Sequence, residues 1–98
     1  MRDQMKLTYI PSAYITHTGK IYEITVEVPG VKKSDIHLEM TEQGFCLNAE
    51  GEKFKYSGCW SLAHRVKPET ASAGFSDGLL RITVELAEGV KGLEVPVD

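Results

Sequence analysis

The chain has 98 residues, of which 42% are hydrophobic and 26% charged, and its formal net charge is -3. This length suits one domain with a single thin core, and the composition excludes disordered, collagen-like and disulfide-dense classes. Acids and bases interleave from Glu23 to Glu94, so there is no basic stripe to neutralise a run of phosphates, and nucleic acid is not an expected partner. The first six residues lack the apolar stretch of a secretory leader. No segment approaches the roughly 18 apolar residues of a membrane span, so no membrane partner is expected and the expected location is the cytoplasm.

In chain order, a short segment over 1–11 precedes a first strand at 12–16. Residues 21–28 alternate strictly, with Tyr22, Ile24, Val26 and Val28 on one face and Glu23, Thr25 and Glu27 on the other, the pattern of a half-buried strand. The same period predicts strands at 36–40 (Ile36, Leu38, Met40), 45–49 (Phe45, Leu47), 60–66, 71–75 and 79–86 (Leu80, Ile82, Val84, Leu86). Residues 93–97 are a further candidate strand. Turn formers separate the runs: Thr18-Gly19, Pro29-Gly30, Gln43-Gly44, Ser57-Gly58 and Asp77-Gly78, where glycine takes positive φ without steric cost. Asp77-Gly78 is the sharpest signal, a two-residue loop suited to a tight hairpin. Seven to eight short strands at this spacing predict an all-β, immunoglobulin-like sandwich of two antiparallel sheets. The sandwich domain is assigned to 12–87 and a C-terminal segment to 88–98, with a linker at 87–92 carrying Gly89 and Gly92.

The run Tyr22-Glu23-Ile24-Thr25-Val26-Glu27-Val28-Pro29-Gly30-Val31-Lys32-Lys33-Ser34-Asp35-Ile36 resembles the signature of small heat shock proteins. A second signature of that family, an Ala-containing strand, an Asx-Gly turn and an alternating strand, is matched by Ala73, Phe75, Asp77-Gly78-Leu79-Leu80 and Ile82-Thr83-Val84. The resemblance implies an α-crystallin domain, the fold of ATP-independent holdases that keep unfolding proteins from aggregating, and one shared by the CS domains of co-chaperones. Three departures accompany it. The long loop that usually follows the Gly-Glu pair is cut to a few residues between Gly51 and Gly58, as in heat-shock-like domains associated with arsenite-pump-type ATPases. The family's arginine before the Leu-Pro corner is replaced by Leu62 or Ala63, and Arg65 would need a register shift to serve. The N-terminal arm is about ten residues, too few to bury much apolar surface. The expected state is therefore a monomer or small homo-oligomer, not a strand-swapped dimer or a large cage.

The resemblance also implies sites. A groove for an extended apolar segment corresponds to Leu38, Met40, Ala73 and Phe75, although each of these, taken singly, equally fits a plain core position. Leu93, Val95 and Val97 have the spacing of the family's tail motif, which plugs such a groove on a neighbour. Pro96 interrupts a hydrogen-bonded ladder and leaves open an edge strand on the same domain.

The remaining residues argue against catalysis and cofactors. His17, His37 and His64 have no ligand spacing, so no metal is expected. Alternation from Trp60 to Val66 places His64 on the apolar side as a hydrogen-bonded core residue, and Trp60 at the centre of the core. Cys46 and Cys59 lack CxxC spacing and are read as reduced thiols. Phosphate loops, nucleophile elbows and HExxH helices are absent from the sequence, so no enzyme is expected. The partners are unfolding polypeptides bound without nucleotide or, alternatively, one dedicated protein recognised by a CS-like or ATPase-associated interaction module.

Overall fold

A computed structural model describes residues 6–89 and 92–98. Eight strands follow in order: β1 (Leu7–Tyr9), β2 (Ala13–His17), β3 (Ile21–Glu27), β4 (Ile36–Thr41), β5 (Gly44–Glu50), β6 (Phe54–Ser61), β7 (Ser72–Ser76) and β8 (Leu79–Glu85). They form two four-stranded sheets, β1-β6-β5-β4 and β2-β3-β8-β7, which is the all-β sandwich expected from the alternating pattern. Single 3-10 turns at Lys33–Asp35 and Pro68–Thr70 carry the chain from one sheet to the other.

Period-two patterning explains the core directly. Tyr22, Ile24, Val26 and Val28 meet Leu80, Ile82 and Val84 on one inner face, and Phe45, Leu47 and Ala49 supply the other; all are buried. Glu23, Glu27, Arg81 and Glu85 stand on the opposite side, in water. Side chains of strand neighbours point to opposite faces, so a shift of one residue in register would expose this whole set. The β7–β8 hairpin turns at Asp77 and Gly78, with φ of 53° and 78°. Positive φ at both central residues is what a type I′ loop requires. At Gly44 the reason for glycine is proximity, because an added Cβ would lie 2.2 Å from the Trp60 carbonyl oxygen.

Several expectations are corrected. The strand predicted at 60–66 lies instead at Phe54–Ser61, and Ser57-Gly58, expected as a turn, sits inside it. The turn falls earlier, where the Gly51 N–H donates to the Phe54 carbonyl at 2.8 Å and Glu50 pairs with Lys55. Of the later segment only Val66 makes a bridge, an isolated antiparallel one with Leu86 just beyond β8. His64 therefore lies in a half-buried connection. Its backbone N–H donates to the Tyr22 hydroxyl at 3.0 Å, and its ring stands edge-on to His17, 4.9 Å away. Trp60 stacks on Phe45 at 5.0 Å at the margin of the core, the centre being held by Leu47, Ile24 and Ile82.

Cys46 and Cys59 are not separate thiols but a disulfide between adjacent strands. The misplaced β6 hid this, since moving the strand six residues earlier brings Cys59 opposite Cys46. The eighth strand is likewise β1, which pairs in parallel with β6. Residues 93–97, the expected candidate, join neither sheet, and the strand at Leu7–Tyr9 was not expected. In the expected linker, positions 90 and 91 lie outside the described residues, as do positions 1–5 of the N-terminal segment.

Candidate functional site

The edge strands β4 and β7 line one cavity together and so share a flank of the sandwich. Their inward residues do not meet fully, and a cavity of about 200 Å³ opens between them, lined by Lys33, Ile36, Leu38, Ala73, Gly74, Phe75 and Leu80. Ile36 and Leu38 alternate along β4 opposite Ala49 and Leu47. Ala73 and Phe75 alternate along β7 opposite Ile82 and Leu80. Leu80 is buried and floors the groove, whereas Ala73 and Gly74 are exposed and leave β7 a low wall. A Cβ added at Gly74 would meet nothing within 4 Å. Lys33, on the turn before β4, is the charged residue of the lining.

Three of the four expected groove residues, Leu38, Ala73 and Phe75, come together here. Met40 lies farther along β4, opposite Phe45, and packs on the core outside this cavity. Ile36, Gly74 and Leu80 line the groove without having been singled out. Alternation marks Ile36 and Leu80 as inward-facing, but nothing in the pattern distinguishes an inward residue at a sheet edge from one in the centre. Leu93, Val95 and Val97 are 92%, 75% and 95% exposed, so in this chain the tail does not occupy the groove.

The groove has a simple chemistry. An edge strand carries backbone N–H and C=O groups without strand partners, and apolar pockets beside it accept alternate side chains of an added strand. Two such edges, β4 and β7, border this one. Among the described residues no group of three or more His, Cys, Asp and Glu could hold a metal ion, and no helix is long and apolar enough to cross a membrane.

On the opposite flank β1 adds a strand along β6. Tyr9 of β1 packs on Phe54 and Tyr56, with ring centroids 6.3 and 6.2 Å away, and the Tyr56 hydroxyl donates to the Pro29 carbonyl at 3.0 Å. Loss of solvent around the ring, with Tyr9 beside it, raises the Tyr56 phenol above its ordinary value. Lys6 Nζ donates to Glu50 Oε2 at 2.6 Å. That hydrogen bond, followed by the lysine's charge, lowers the Glu50 carboxyl below its ordinary value.

A family model described as the CS domain matches residues 18–85. The chain belongs to the CS domain family. Solved structures agree on the fold. Heat shock protein 16.0 from Schizosaccharomyces pombe superimposes with a TM-score of 0.75 at 19% identity, over 92% of this chain and 98% of that one. The nuclear movement protein from E. cuniculi GB-M1 gives 0.64 at 16% identity, over 87% and 98%. The CS domain of the human KIAA1068 protein gives 0.68 at 13% identity, over 85% and 73%. Comparison with curated protein sequences found no match. This CS domain thus shares its sandwich fold with small heat shock proteins.

Proposed function

We propose that this CS domain is an ATP-independent holdase that takes extended, apolar segments of partly unfolded polypeptides into the groove between β4 and β7. The observation that carries this reading is the pairing of an open apolar cavity with two edge strands on one flank. Backbone pairing along an edge supplies affinity with little sequence preference, and Leu38, Ala73 and Phe75 supply room for small apolar side chains. The exposed Leu93, Val95 and Val97 fit the same groove on a second copy, which would give a small homo-oligomer; deleting 93–97 and measuring the mass in solution tests that arrangement. The working unit is the 12–87 sandwich with β1 added to its edge.

The test is light scattering of a thermally unfolding model protein with and without excess domain, against an inert protein control. Suppression of scattering, lost in Ala73→Glu, is the expected outcome. Unchanged scattering by a domain that stays folded would overturn the holdase reading. The family match favours a second reading, a module with one dedicated folded partner, whose mark is a single complex of defined stoichiometry and no effect on aggregation.

A further inference from the structure

The Cys46–Cys59 link lies on the outer face of its sheet, away from the core and from the groove. Phe45 and Leu47, on either side of Cys46, are buried, whereas Cys46 is half-buried and Cys59 exposed. The phase of the β5–β6 ladder follows from its two ends. The Gly51 N–H donates to the Phe54 carbonyl and the Leu62 N–H to the Gln43 carbonyl. Counting inward from either bond makes Cys46 and Cys59 a non-hydrogen-bonded pair, the position where facing strands come closest and side chains stand nearest. Their Cα atoms are 4.0 Å apart.

Architecture alone does not require a covalent link at this place. The strands it joins are already paired from Gly44–Ser61 to Glu50–Lys55, and Leu47 and Ala49 of β5 anchor that hairpin from beneath. A disulfide that is dispensable for topology and open to solvent on one sulfur-bearing residue has the attributes of an exchangeable bond and not of a buried staple.

We propose that Cys46–Cys59 is a thiol–disulfide exchange site, opened by dithiol reductants and closed by small disulfide oxidants while the domain stays folded, and that its state sets the stability of the β1-β6-β5-β4 sheet. A thiolate of the dithiol attacks the exposed Cys59 sulfur, the S–S bond breaks, and Cys46 leaves as a thiolate. The second thiol of the reductant then attacks its own mixed disulfide and releases Cys59. The reductant ends as a disulfide, two electrons have passed to the protein, and the protons of the reductant's two thiols end on the cysteines. Closure by glutathione disulfide runs the same exchange in reverse and yields two equivalents of reduced glutathione.

The experiment incubates the folded full chain in dithiothreitol or in glutathione disulfide without denaturant, then counts thiols by alkylation and mass and records thermal unfolding. Trp60, the single tryptophan, reports on β6 by its fluorescence. Two alkylated cysteines in dithiothreitol, none in glutathione disulfide, and an unfolding midpoint about 15 °C lower in the reduced form are expected, the shift being that of opening a loop of this size in a small domain. The double variant Cys46→Ser/Cys59→Ser should match the reduced form and ignore both reagents. If that variant does not fold, reduced and alkylated wild-type protein supplies the same comparison. Thiols that appear only when the domain unfolds, two thiols that persist in glutathione disulfide, or identical midpoints for the two states would each overturn the proposal.

Discussion

The two flanks of the sandwich face the same physical problem and resolve it differently. Each ends in an edge strand from either sheet, with unpaired backbone groups and a strip of apolar side chain left at the margin. At one flank, β1 pairs along β6 and lays Tyr9 on Phe54 and Tyr56, so the edge of β6 is covered by the chain's own N-terminal strand. At the other, small residues Ala73 and Gly74 leave Leu38, Phe75 and Leu80 beside an open cavity. Covering an edge takes only three residues of strand when aromatic rings fill the gap. Leaving one open takes small side chains where large ones would close it. The difference is what makes the β4–β7 flank the surface proposed for binding.

Substitutions can sharpen or break that contrast. The largest expected effect is on the β1 flank: Phe54→Ala removes the ring shared by Tyr9 and Tyr56 and should cost about 2–3 kcal/mol, below the full value for a wholly buried Phe, read from urea unfolding. Tyr56→Phe should cost about 1 kcal/mol by removing the hydrogen bond to Pro29. Because the Tyr56 pKa is raised in the folded state, its contribution is complete below the unfolded tyrosine value and is lost as pH rises through the folded one. Alkaline unfolding curves of wild type and Tyr56→Phe should therefore converge as pH climbs.

On the open flank, Ala73→Glu should change stability by less than about 0.5 kcal/mol, since the side chain is exposed, while abolishing suppression of aggregation. A large loss of stability there would mean that the flank is closed in solution. The smallest effect concerns Glu50, whose pKa is lowered by exposed Lys6. Its stabilisation is present above the unfolded carboxyl value and fades as pH falls through the depressed folded one. Glu50→Gln should flatten that acid dependence slightly, and added salt should flatten it in wild type, because exposed pairs are screened.

Much of this molecule was legible from residues alone wherever one face of a strand is buried and the other wet. Ile21–Glu27 and Leu79–Glu85 carry strict alternation, and Asp77-Gly78 carries the only two-residue loop chemistry that fits positive φ twice. These features are local, so local sequence reports them. The groove residues came from the family resemblance and not from the alternation: of the four it implies, Leu38, Ala73 and Phe75 line the cavity between β4 and β7 and Met40 does not.

What the pattern could not decide is long-range. β6 keeps the period, with Tyr56 and Trp60 on one face and Ser57 and Cys59 on the other, but the inward position between the two rings is Gly58, which makes way for Trp60 and, beside Ser57, has the composition of a turn, so neither its boundaries nor its turn show in the pattern. With the turn went the register, and with the register the meeting of Cys46 and Cys59. Leu7–Tyr9 and residues 93–97 look alike as short apolar segments, yet only the first is a strand. Composition does not distinguish them, since a three-residue strand has no stability of its own and exists only where β6 and its aromatic rings receive it. The sequence by itself determined the two-sheet sandwich, its buried faces and its sharpest turn. Only the tertiary structure decided where β1 docks, which side chains line the cavity between β4 and β7 and which cysteines meet, because those outcomes depend on residues far apart in the chain arriving at the same place.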